Sequence, residues 1–124
     1  MTFTIQIKGT EEVRKFLENA NKETLIKANQ AIIKAGFYVQ AEVKSSIAGQ
    51  RAEPVSVDTG RFLNSVKMVQ NALLTASVET NVEYAKHLEY GTSKMRPRSH
   101  FRNTATRNQD KVREFVANEV KKIS

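Results

Sequence analysis

The chain has no cysteine and no tryptophan. Without a thiol there is no disulfide staple, no thiolate metal site and no cysteine nucleophile, and the composition is compatible with synthesis inside a cell. Histidine is scarce: His87 and His100 are the only two. Neither stands in the His-Glu-x-x-His spacing of a zinc site, and no Gly-x-Ser-x-Gly elbow or Asp-rich calcium loop occurs. The few glycines form neither Gly-x-x-x-x-Gly-Lys-Ser/Thr nor Gly-x-Gly-x-x-Gly, so a phosphate-cradling loop is absent. Glu83 and Glu89 are carboxylates near one another in sequence, but nothing sets them face to face across a cleft as acid–base work requires. No enzyme activity, metal or cofactor is expected. Apolar runs reach only a few residues, against the ~20 that span a bilayer. Met1 to Lys8 alternates apolar and polar residues instead of showing a charged start and a long apolar block. Neither a membrane span nor a secretion signal is expected.

What the chain does have is an uneven positive charge. The net charge is +7 over 124 residues, one domain's worth of chain. Residues 1–60 carry eight basic against seven acidic side chains, whereas residues 61–124 carry twelve against six. Within the second half, Lys94, Arg96, Arg98, Arg102, Arg107, Lys111 and Arg113 are offset only by Asp110. A patch of this kind meets phosphate or an acidic protein surface. Three readings of the basic arm from Lys94 to Arg107 stand side by side. As a nucleic-acid site, its arginines contact phosphate while His100 or Phe101 stacks on a base. As an interaction arm, the same arginines pair with carboxylates of a neighbouring subunit. As a solvated approach to a helix, they do neither. The missing tryptophan weighs against base stacking, because stacking platforms usually use more than one aromatic.

Hydrophobic spacing divides the chain into elements. Phe3, Ile5 and Ile7 alternate with polar residues, predicting a strand over 2–8. Gly9-Thr10 offers a turn and cap, and Val13, Phe16, Leu17 and Ala20 make the apolar stripe of a short helix with Glu11 and Glu12 in its first turn. From Thr24, the residues Leu25, Ala28, Ile32, Ala35, Val39, Val43 and Ile47 recur at three- and four-residue steps, predicting the longest helix. Its small residues Ala28, Ala31, Ala35, Gly36 and Ala41 allow a neighbour to pack closely. Residues 48–57, with Gly49 and Pro54, read as a flexible loop, and so do residues 92–100. Asp58-Thr59 can cap a short helix over Gly60 to Ser65. Val66–Val69 and Leu74–Thr80 read as an antiparallel hairpin joined around Gln70–Leu73. Glu83–Tyr90 reads as a helix stopped by Gly91 in the left-handed conformation, with Tyr84 and Tyr90 half-buried on it. Thr104–Ile123 reads as the closing helix, with Ala105, Val112, Val116, Val120 and Ile123 on its apolar side. The expectation is a single α+β domain over 1–124, with an antiparallel β-sheet packed against a long N-terminal helix and a C-terminal helix.

Three blocks stand in order along this frame: Asp58-Thr59-Gly60-Arg61-Phe62-Leu63-Asn64-Ser65-Val66, then Tyr84-Ala85-Lys86-His87-Leu88-Glu89-Tyr90-Gly91-Thr92, then Arg96-Pro97-Arg98-Ser99-His100-Phe101. In that order and spacing the chain resembles the minor tail or tail-completion (head-tail joining) protein family of long-tailed bacteriophages and prophages. Phe62 replaces the usual leucine of the first block, and Ser99-His100 replaces a proline-containing approach to the aromatic of the third. The resemblance implies a structural virion protein in the tail or neck, made in the host cytoplasm. It implies a ring, expected as a hexamer, that joins head-connector and tail-tube proteins, touches DNA at most incidentally and uses no cofactor or membrane. It also implies that Asp58, Thr59, Gly60, Arg61, Tyr84, Glu89, Tyr90, Gly91, Thr92, Lys94, Arg96, Pro97, Arg98, Phe101 and Arg102 serve protein contacts. The competing reading is a small basic nucleic-acid-binding module.

Overall fold

The computed structural model describes residues 3–8, 22–51, 60–72 and 74–123. The elements are β1 (Phe3–Lys8), α1 (Lys22–Ile47), α2 (Arg61–Ser65), β2 (Lys67–Ala72), β3 (Thr75–Thr80), α3 (Ala85–Tyr90) and α4 (His100–Ile123). The strands form one antiparallel sheet in the order β1-β3-β2, with Phe3 opposite Thr80 and Met68 opposite Val78. The first-strand, long-helix and hairpin expectations hold, and the α+β architecture is as read from the sequence. The short helix expected over Thr10–Ala20, most of the 48–57 loop and the Asp58-Thr59 cap lie outside the described residues.

Helix α1 is the centre of the molecule because its apolar stripe is continuous. Ala28, Ile32, Ala35, Val39, Val43 and Ile47 are all at most 3 % exposed. One flank of that stripe meets the sheet. At Gly36 an added Cβ would lie 2.7 Å from Met68 Cγ and 3.3 Å from Ala76 Cβ, so hydrogen alone lets helix and sheet approach this closely. Ala41, also expected at a close contact, is exposed instead. Gln40 and Asn29, three turns apart on the same flank, tie down the hairpin's outer edge. Gln40 Oε1 accepts from the Met68 N–H at 2.7 Å, and Asn29 Oδ1 accepts from the Leu74 N–H at 2.9 Å and from Gln70 Nε2 at 2.6 Å. The bond to Met68 occupies an edge N–H of β2 that would otherwise invite another strand. The bond from Leu74 to Asn29 helps hold Leu74 at positive φ, 62°, at the tight turn. Strand β2 runs on to Ala72, so the connection is shorter than the expected Gln70–Leu73, with a register irregularity between Val69 and Ala72.

The other flank of α1 meets α4. Ala35 lies level with Val112, Tyr38 with Asn108 and Ser46 with His100, so the two helices run antiparallel. Helix α4 starts at His100, a full turn before the expected Thr104, and absorbs half of what the sequence presents as a basic arm. Its buried residues are His100, Phe101, Thr104, Asn108 and Val116, with Ala105 and Val112 partly covered, so three polar residues sit on that side, and the side chains of Val120 and Ile123 lie outside the described residues.

Candidate interaction face

Phe62 is where the three sequence blocks meet. It is 2 % exposed, its ring lies edge-on to Tyr84 at 5.9 Å and to His100 at 6.0 Å, and each contact belongs to a different block. The Gly60 backbone, φ 82°, occupies the N-cap position of α2 without a side-chain cap. A relay then fastens the block to the sheet. Val82 N–H donates to Thr80 Oγ1, the Thr80 hydroxyl lies 2.6 Å from Ser65 Oγ, and the Ser65 hydroxyl donates to Phe62 O at 2.6 Å.

The second and third blocks are joined by a buried carboxylate. Glu89 is 1 % exposed. Its Oε1 accepts the Phe101 N–H, and its Oε2 accepts the Arg102 N–H at 3.4 Å and Arg102 Nε–H at 3.2 Å. The two backbone N–H groups are orphan donors of the first turn of α4, so Glu89 caps that helix from a distance, with its charge at the positive end of the helix dipole. This is the reason α4 begins at His100. The backbone carbonyl of Glu89 accepts from Arg102 Nη2 at 2.6 Å and from the Ser99 hydroxyl at 2.7 Å. Arg102 also lies over Tyr90, its Cζ 4.5 Å from the ring centroid.

Gly91 makes the junction possible. It closes α3 with the expected positive φ, 76°, but with ψ 178° in place of the left-handed helical value, an extended conformation open to glycine, and its N–H donates to His87 O at 2.8 Å. A Cβ there would lie 2.8 Å from Met95 O and Pro97 N and 2.9 Å from Pro97 Cδ. The chain turns back at once. Thr92 N–H donates to Met95 O at 2.9 Å, Lys94 N–H to Thr92 Oγ1 at 3.2 Å, and Arg98 N–H to Leu88 O. Residues 92–99 therefore contain no helix or strand, but they are stitched to α3 at both ends.

The expected contact residues separate into two groups. Glu89, Gly91, Phe101 and Arg102 hold the chain together: Phe101 is 2 % exposed, and Arg102 is bonded to Glu89 and Ser99. Arg61, Tyr84, Tyr90, Thr92, Lys94, Arg96 and Pro97 are exposed, and Arg98 is partly so. Tyr84 is 37 % exposed and Tyr90 55 %, so both rings are partly covered, Tyr90 the more open of the two. Arg61 reaches over Tyr84 at 6.0 Å. Asp58 and Thr59 lie outside the described residues. His100 and Phe101 cannot stack on a base. Both are buried, and His100 Nδ1 lies 2.8 Å from Ser46 Oγ. The sequence hint to that pair was a serine inside the apolar stripe of α1 between Val43 and Ile47. The Glu89 cap had no local signal, since its partners lie twelve and thirteen residues away.

A family model described as "HK97-gp10_like: Bacteriophage HK97-gp10, putative tail-component" matches residues 11–91. The chain belongs to the HK97-gp10-like family. The matched region runs through the first two blocks and ends at Gly91, and the basic turn and α4 follow it. No curated protein and no solved structure matches the chain at a significant level. Among the described residues no helix is long and apolar enough to cross a membrane. The family is that of a phage tail component, and around Phe62 and Glu89 the three blocks pack against and hydrogen-bond to one another.

Proposed function

We propose that this HK97-gp10-like chain works at the head-tail junction, as a tail-completion part that closes into a ring with copies of itself and bridges connector and tail-tube proteins. The supporting observation is the basic turn after α3. Lys94 and Arg96 are exposed and have no ion-pair partner among the described residues, while the backbone beneath them is stitched to Leu88, Thr92 and Met95. A rigid mount lowers the ordering cost of a contact. Exposed arginine and tyrosine are the side chains that carry contact energy most often. A ring needs two different patches on each subunit, and this turn supplies one of them.

The test replaces Lys94 and Arg96 together by glutamate and leaves Arg102 alone, because Arg102 belongs to the scaffold. Circular dichroism should stay native, while negative-stain micrographs of the infected host show free heads and free tails accumulating together. Normal yields of joined particles would place the interface elsewhere. Salt-resistant, sequence-selective DNA binding by the purified wild-type protein would favour the nucleic-acid module instead.

A further inference from the structure

The antiparallel pair α1 and α4 leaves an open cleft of about 340 Å³ lined by Lys34, Ala35, Tyr38, Lys111, Val112 and Phe115. Its floor and walls are apolar, and two rings stand at its sides partly in water, Tyr38 at 36 % and Phe115 at 37 % exposure. The Tyr38 wall is fixed: its hydroxyl donates to Asn108 Oδ1 at 3.1 Å, and Asn108 Nδ2 donates to Thr104 O at 3.0 Å. Lys111 Nζ lies 5.9 Å from the Tyr38 ring centroid. Neither Lys34 nor Lys111 forms an ion pair among the described residues. One turn along α1 from Tyr38, Glu42 is already held by Arg51 at 2.8 Å. Arg107, Lys111 and Phe115 follow at four-residue steps on α4, with the Arg107 charge acting on Glu42, so the socket's own cations are Lys34 and Lys111.

We propose that this cleft is a socket for an acidic amphipathic helix of a different virion protein. One aliphatic or aromatic side chain fills the apolar floor, and carboxylates one turn to either side reach Lys34 and Lys111. The volume sits at the small end of ligand sites and suits one anchoring side chain. A groove between two helices, flanked on each by an unpaired cation, is complementary to a helix with one apolar and one acidic face. The socket is separate from the basic turn and rests on α1 and α4 alone, so it can fail without affecting the junction reading.

The experiment titrates the isotopically labelled full chain by NMR with a short acetylated helical peptide that has one central phenylalanine and a glutamate one turn to each side. Two control peptides carry lysines for the glutamates or serine for the phenylalanine. Saturable shifts confined to Lys34–Tyr38 and Lys111–Phe115 are expected, with affinity lower by about tenfold or more for either control. The Lys34→Glu, Lys111→Glu double variant should reverse the preference and bind the lysine peptide. Three results would overturn the proposal: no saturable binding, equal binding of the glutamate and lysine peptides, or shifts centred on the Lys94–Arg98 turn. Concentration-dependent shifts at Phe115 without peptide would overturn it too, because the occupant would then be a second copy of this chain.

Discussion

Gly91 combines two demands on one residue, a φ of 76° and a Cβ position already occupied by Met95 O and Pro97 N. The strain of a non-glycine at positive φ with extended ψ adds to a clash with backbone that cannot rotate away. Gly91→Val should therefore cost about 2 kcal/mol or more, read as a lower denaturant midpoint at unchanged slope. Thr104 presents the opposite case. It is 0 % exposed, and its hydroxyl has no hydrogen-bond partner among the described residues. A buried unpaired hydroxyl is destabilising, so Thr104→Val, of nearly the same shape, should leave stability unchanged or raise it by about 1 kcal/mol. Thermal unfolding decides this, and a clear fall in midpoint would reveal a partner for that oxygen.

At the scale of elements, α4 owes its first turn to α3. Glu89→Ala leaves the Phe101 and Arg102 N–H groups without their acceptor and cuts Arg102 loose from the carboxylate. The expected loss is about 2–3 kcal/mol. The effect should also be local, with amide exchange at His100–Asn103 accelerated well beyond that of the Val112–Val116 turn. Equal acceleration along the whole helix would mean that the first turn is held by packing of Phe101. Helix α1 has a similar hold on the hairpin through Asn29 and Gln40, whereas the α1–α4 contact is mainly apolar, with His100 against Ser46 and Tyr38 against Asn108 as its polar stitches.

At the scale of the whole molecule, the Lys and Arg side chains among the described residues are exposed or only partly covered, and one pair records the electrostatics. The hydrogen bond from Arg51 holds the Glu42 carboxyl below the ordinary carboxylate range, with burial opposing and the Tyr38 hydroxyl and the charges of Arg51 and Arg107 assisting. A depressed folded-state pKa contributes stability above the ordinary carboxylate value, and that contribution is lost as pH falls through the lowered one. Glu42→Gln should accordingly be slightly less stable than the wild type at pH 7, and the difference should close in acid. Urea titrations at neutral and at acidic pH measure both ends. Because the pair is at the surface, added salt should shrink the neutral-pH difference.

Periodicity alone determined the long helix, the strands and the glycine stop. The steps Ala28, Ile32, Ala35, Val39 and Val43 leave one buried face, and Gly91 is followed too closely by a turn for any other residue. The order of the blocks was also legible, and with it the phage tail family. The tertiary structure decided which members of those blocks face outward. Exposure of a charged or aromatic side chain depends on what folds over it, and Glu89, His100 and Phe101 are covered by segments distant in sequence. Sequence spacing presents Arg96 and Arg102 as equivalent members of a basic arm. A buried carboxylate on α3 makes Arg102 part of the scaffold and leaves Arg96 on its surface, because a helix N-terminus needs acceptors wherever in the chain they lie.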